Sequence, residues 1–271
     1  MCAQLLSRRK LAQYRKQLNG THARVSGILF GLLAWFVLAS IFPADLMPYP
    51  FETLVLTGEL IQSGVAFSHL FVTLWRTLLG FLGAFILGGV IGVLMGVSNY
   101  GEKFFVPYIV IGLSIPAIAW AAISTLSLGL SPMAPVVATI ATTFPFIAIN
   151  VWKGVQNIQT DLLKMSSAFG VSNLRLLRRV ILPNTAPALF SASRFGLAIS
   201  WKIVTIAEIF ASSSGVGYML IRAYESYQYE LAWAWAVLFM IVILLIEYGV
   251  FRQLEKRAYA YRSTTDVVGV A

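Results

Sequence analysis

LWRTLLGFLGAFILGGVIGVLMGV, residues 74–97, is the stretch on which the fold turns. Its only charged residue is Arg76. A helix rises 1.5 Å per residue, so about 20 mostly apolar residues cross the roughly 30 Å hydrocarbon core of a bilayer. Leu74–Val97 therefore predicts a membrane-spanning helix. Within it Ala84, Gly88, Gly92 and Gly96 recur every four residues and share one face. Small residues let another backbone come close, which is how helices associate where exclusion of water cannot drive them together. Two readings stay open for this face: packing within the subunit, or a subunit interface or pore contact.

Five more stretches satisfy the same criterion: Val25–Phe42, Phe104–Leu128, Pro132–Trp152, Pro187–Phe210 and Leu231–Phe251. The chain is 58% hydrophobic and 11% charged. Soluble proteins carry about 25% charged residues, so too little polar surface remains for a water-soluble domain of this length. The fold class is all-α: a polytopic membrane protein of about six transmembrane helices. The expected divisions are a basic segment at 1–24, a first helix and outer loop at 25–68, a core of five helices at 69–252, and a tail at 253–271. The basic lead-in to the first stretch is long and its apolar run exceeds a signal-peptide core, which predicts a retained anchor. Pro116, Pro132, Pro135 and Pro145 predict bends in the third and fourth spans, and Pro116 is a candidate pathway residue.

Charge sets the expected orientation. With the N-terminus cytoplasmic, sixteen of the 20 Lys and Arg residues fall on the cytoplasmic side, among them Lys103, Lys153, Lys164, Arg175, Arg178 and Arg179. The loop from Pro43 to about Leu70 carries Asp45, Glu52 and Glu59 and no Lys or Arg. Both termini are thus expected in the cytoplasm. The same placement explains the net charge of +9 without nucleic acid. Cys2, His22 and His69 are too scattered to ligate zinc, and both histidines read as interfacial.

The fifth span holds Arg194, Lys202 and Glu208. Ionisable groups in a span face the protein interior or water. Lys202 and Glu208 are six residues apart, about 600° of helical rotation, and so point to different faces. Glu208 is expected to brace the outer end of the bundle or the gate. Arg194, and Glu247 with Arg252 at the inner end of the last span, are expected to snorkel.

The connection from Lys153 to about Ala186 is too polar to span. Thr160-Asp161 gives a helix start, with Leu162, Met165, Ser166 and Phe169 at helical spacing. Gly170 ends that helix and Ser172 can cap a second, with Leu174, Leu177 and Ile181 on one side and Arg175, Arg178 and Arg179 on the other. Pro183 and Pro187 are expected to end it. Such a unit can dock in a partner's groove or lie on the lipid surface.

The segment Lys164-Met165-Ser166-Ser167-Ala168-Phe169-Gly170, followed by Val180-Ile181-Leu182-Pro183, resembles the EAA loop of bacterial ABC importer permeases: E-A-A-x-x-x-G, nine residues, then I-x-L-P. Gly170, Leu182 and Pro183 match in register, and Val180 stands for the isoleucine. Lys164, Met165 and Ser166 replace the E-A-A triplet, so an ion pair from that glutamate is not expected. Three further stretches resemble the nitrate, sulfonate and taurine branch. They are Leu74-Trp75-Arg76-Thr77-Leu78-Leu79-Gly80-Phe81, Ile115-Pro116-Ala117-Ile118-Ala119-Trp120, and Ala207-Glu208 with Ser212-Ser213-Ser214-Gly215-Val216-Gly217-Tyr218.

The resemblance implies a non-enzymatic pore-forming subunit of the bacterial inner membrane. It implies a pair of permeases, here a homodimer by default, embedded in lipid, with separate P-loop ATPases that bind ATP and Mg, and an extracytoplasmic solute-binding protein. The chain has no G-x-x-x-x-G-K-[ST] motif of its own and is expected to hold no cofactor. Lys164, Met165, Ser166, Ala168, Phe169, Gly170, Leu182 and Pro183 would couple to the ATPase. Pro116, Lys202, Glu208, Gly215 and Gly217 are the pathway or gate candidates. The implied solute is a small anion of the nitrate, sulfonate or taurine type. An ion-gradient-driven secondary carrier is the alternative, with Glu208 and Lys202 serving the ion; it leaves the docking-type loop unexplained. A membrane enzyme would need a converging nucleophile, base or metal set that two scattered histidines and one cysteine do not supply.

Overall fold

The structure, a computed structural model, describes residues 22–23, 25–247 and 249. Most of the basic segment at 1–24 and the tail at 253–271 lie outside the described residues, as does Arg252. Among the described residues every regular element is helical. The helices are α1 (Val25–Ile41), α2 (Pro50–Gln62), α3 (Val65–Val97), α4 (Asn99–Ser114), α5 (Ala117–Leu128), α6 (Ala134–Gln156), α7 (Thr160–Ala168), α8 (Asn173–Leu176), α9 (Leu182–Ala211), α10 (Val216–Glu225) and α11 (Tyr229–Ile246). Among the described residues, four helical runs are long and apolar enough to cross a membrane: α3, α6, α8–α9 and α11. α1 is a shorter apolar helix, and α4 with α5 forms a bent pair.

The small-residue face of α3 is used within the chain. Gly88 lies against the Phe144 carbonyl and Ile147, and Gly92 against the Ala148 carbonyl and Val151. A β-carbon at either glycine would come within 2.6 Å of a backbone oxygen of α6. Gly80 meets Thr139 and Gly96 meets Val155 in the same way, so α3 and α6 run together along the whole face. α6 is the central helix. Its other side packs on α9, where Gly154 abuts Ala188 and Gly196 abuts Ile147. Ala84, Ile147, Val151 and Ala192 form one buried cluster of this three-helix core. Hydroxyls inside it, those of Thr139, Thr142, Thr185 and Ser200, each donate to the carbonyl four residues back, which satisfies them without a partner helix.

Three expectations are corrected. The third span is not one helix: α4 and α5 meet at 98° across Ile115–Pro116. Ile115 is extended (φ −78°, ψ 122°), as the residue before proline prefers, and Pro116 starts α5. Pro183 and Pro187 do not end the helix before the fifth span. A π-helical turn at Leu177–Ile181 precedes Pro183, and the chain continues as one helical run from Asn173 to Phe210. The wider turn gives room where the proline ring and its missing N–H would otherwise break the ladder. The connection after the first span is not simply a loop: it contains α2. It is fixed by Trp35 and Trp233, whose indole N–H groups donate to the Pro48 and Leu46 carbonyls at 3.2 and 3.0 Å.

Candidate functional site

All but two of the expected functional residues, Pro116 and Lys202, fall at opposite ends of α9. At its first end lies the connection carrying α7 and α8. α7 closes on Gly170, whose φ of +62° is left-handed, and the Val171 N–H returns to the Ser166 carbonyl at 3.0 Å. This bond across a glycine is the usual helix stop and turns the chain toward α8. Leu163 of α7 points inward with Leu176 and Leu177, onto buried Val155, Ile158 and Ile181. Leu162, Met165 and Phe169 point the other way and are 37%, 56% and 80% exposed. Lys164 and Ala168 are exposed beside them, and Ser166 bonds back to the Leu162 carbonyl at 2.8 Å. Leu182 and Pro183 sit at the start of α9 and are also exposed. In the second helix Leu176 takes the inward place expected of Leu174, which is 58% exposed at the rim of a groove of about 740 Å³.

At the far end of α9, Glu208 is fully buried. Arg76 of α3, itself 3% exposed, donates through Nη1 to Glu208 Oε1 at 2.8 Å. The Thr73 hydroxyl donates to Oε2 at 2.9 Å, and the Gly217 N–H donates to the same oxygen at 3.1 Å. The carboxylate thus meets a cation, a hydroxyl and a backbone amide, the set that an ionised group needs out of water. The connection between α9 and α10 folds over it. Arg76 holds the Ser214 carbonyl at 2.7 Å and its hydroxyl at 3.2 Å. The Gly215 N–H donates to His69 Nδ1 at 3.0 Å, and the Val216 N–H to Thr73 Oγ1 at 2.8 Å. Gly215 has φ +111°, and a β-carbon there would run into the Glu208 carboxylate; one at Gly217 would meet the Thr205 carbonyl. Both positions require glycine for close approach.

Three of the five pathway or gate candidates, Glu208, Gly215 and Gly217, therefore form one knot. Lys202 lies on another face of α9 and is exposed, and Pro116 marks the α4–α5 bend, apart from the knot. The knot also contains His69, Thr73, Arg76 and Ser214, which the sequence did not assign to it. A usable signal was present: Arg76 and Glu208 are opposite charges in apolar runs, and each demands a partner. Arg194 is not merely snorkelled, since it pairs with Glu247 at 3.1 Å.

Residues 84–258 match the family model described as a binding-protein-dependent transport system inner membrane component, well over half of the chain. A Bacillus subtilis protein named an aliphatic sulfonates transport permease, SsuC, is 29% identical over 82% of this chain and 80% of its own length. Its Escherichia coli namesake is 30% identical over 77% of this chain and 76% of its own length. The Escherichia coli taurine transport system permease TauC is 26% identical over 70% of this chain and 68% of its own length. Among solved structures, the fold is similar to a chain of the inward-facing MetNI methionine ABC transporter. The TM-score is 0.60 at 24% identity, covering 69% of this chain and 93% of that one. An amino acid ABC transporter solved with histidines gives a TM-score of 0.61 at 17% identity, over 74% and 97% of the two chains.

Proposed function

This chain belongs to the family of binding-protein-dependent transport inner membrane components, and from that premise we propose that it forms the pathway of an ATP-driven importer of a small anion. The observation that carries the proposal is the exposed apolar face formed by Leu162 and Met165 of α7 and Phe169 just after it, set beside a left-handed Gly170. Large side chains held out on a short helix whose opposite face is packed call for a partner groove. The partner is a separate P-loop ATPase that binds ATP and Mg, because the chain has no phosphate-binding loop. Nucleotide binding then moves the pathway only by favouring one of its states over the other.

In this reading the α7–α8 end faces the cytoplasm, with both termini, and the Glu208 knot faces outward. The described Lys103, Lys153, Lys164, Arg175, Arg178 and Arg179 fit that orientation by the positive-inside rule. An extracytoplasmic binding protein delivers the solute, and a second copy of the chain completes the pathway. The sulfonate and taurine relatives support an anionic solute. The knot argues against an ion-coupled carrier. Glu208 is fully buried, already neutralised by Arg76, and bonded to the Gly217 amide of the turn that covers it.

Co-purification tests the proposal. The tagged chain, extracted in mild detergent, is expected to carry a P-loop ATPase, and Met165→Glu with Phe169→Glu is expected to release it. A chain that purifies alone and exchanges solute across liposomes without ATP overturns the reading.

A further inference from the structure

Tyr227, in the turn between α10 and α11, is the one non-glycine residue with positive φ among the described residues, at +58°. It closes α10: the Tyr227 N–H bonds to the Tyr224 carbonyl at 3.1 Å and the Gln228 N–H to the Ala223 carbonyl at 2.9 Å. Glycine ordinarily fills this place, because a β-carbon is strained there. Tyrosine recovers little of that strain by burial, since it is 81% exposed. A strained backbone that packing does not explain points to a use for the side chain.

The surroundings say what use. The Tyr227 ring stands 6.2 Å from that of Tyr229, which is 5.6 Å from Tyr224. Beside them Tyr224, Tyr229, Trp233, Leu46 and Leu220 line a recess of about 430 Å³. Glu225 and Glu230 are exposed on either side, and Arg222 is the only basic residue between Arg222 and Glu230. Ring faces attract guanidinium and ammonium groups, and carboxylates pair with them. The same carboxylates would be repelled by anionic lipid headgroups, which favours a protein over the membrane surface.

Resting on the importer reading, we propose that the Tyr224–Glu230 turn is a docking face for the solute-binding protein, which meets it with a basic surface and seats an anchor side chain in the recess. Tyr227→Gly removes the ring and relieves the backbone at once. The assay uses the permease–ATPase complex in nanodiscs, and the binding protein that stimulates its ATP hydrolysis. The Tyr227→Gly complex is expected to bind that protein about tenfold more weakly. Its melting temperature should be equal to wild type or higher. Glu225→Gln with Glu230→Gln is expected to weaken binding and flatten its salt dependence. Wild-type affinity in Tyr227→Gly overturns the docking face. So does a variant that changes only the response to anionic lipid, which would make the turn a membrane contact. A wild-type complex that recruits no binding protein sinks the importer reading and the docking face together.

Discussion

Glu208 shows how one residue can bind three elements. Its carboxylate joins α9 to Arg76 and Thr73 of α3 and to the amide of Gly217 in α10. Removing one member of a buried pair leaves the other charge without compensation, at a cost of about 3–5 kcal/mol. Glu208→Gln is therefore expected to lower the melting temperature of the purified chain and to reduce uptake. Replacing both members, Arg76→Met with Glu208→Leu, takes both charges out of the interior together and is expected to recover most of the lost stability. A double variant as unstable as Glu208→Gln would mean that the hydrogen bonds to the covering turn, not the charges, hold this end. Only half of this site was legible beforehand. Glu208 announced itself as a charge in an apolar span, but Arg76 lies 132 residues away in the chain. Hydropathy gives depth only coarsely, and rotation about the helix axis hardly at all. His69 and Ser214 are joined to the knot through backbone groups of the turn, which leave no mark in composition.

The helices differ in how plainly the sequence specifies them, and glycines in what they tolerate. α3, α6 and α11 were legible because each is one apolar run. The α4–α5 bend and the continuous passage through Pro183 and Pro187 were not, because a proline in an apolar run can break a helix or lie within it, as Pro107, Pro145 and Pro187 do here. Pro116 follows an extended Ile115 and breaks the span, whereas Pro183 follows a π turn and is carried through. Gly170 and Gly92 show the same dependence on context. At Gly170 a β-carbon meets nothing within 4 Å, so Gly170→Val adds only the strain of φ +62°, about 1–2 kcal/mol. The helical stop should shift and α7 turn away from the proposed ATPase. Membrane insertion is expected to be normal while uptake falls; normal uptake in a well-expressed variant would remove α7 from the coupling role. At Gly92 a β-carbon meets the Ala148 carbonyl at 2.6 Å, so Gly92→Val is expected to part α3 from α6 and abolish the folded chain. A monodisperse Gly92→Val protein would show that this contact yields.

Across the whole molecule, the charges set in apolar helices divide into buried and exposed ones. Arg76 and Glu208 are sealed within one chain, but Lys202, six residues and about 9 Å before Glu208 on α9, is exposed. A charged residue within a span is costly against lipid, so in the assembled importer Lys202 should meet water or another protein surface. The pathway proposed between two copies of the chain would supply both. Transporters commonly bind solute near the bilayer midplane, and an ammonium group there would draw an anion inward. Lys202→Gln is accordingly expected to raise the KM for uptake of an anionic solute into proteoliposomes, with Lys202→Arg close to wild type. The melting temperature should hardly change, because no packing is lost at an exposed position. Taurine or an alkyl sulfonate is the probe, added with the cognate binding protein. If Lys202→Gln transports as wild type does, Lys202 is not in the pathway. If instead the variant loses stability in step with uptake, Lys202 serves the contact between the two copies, and the charge that selects the solute must be sought on another helix.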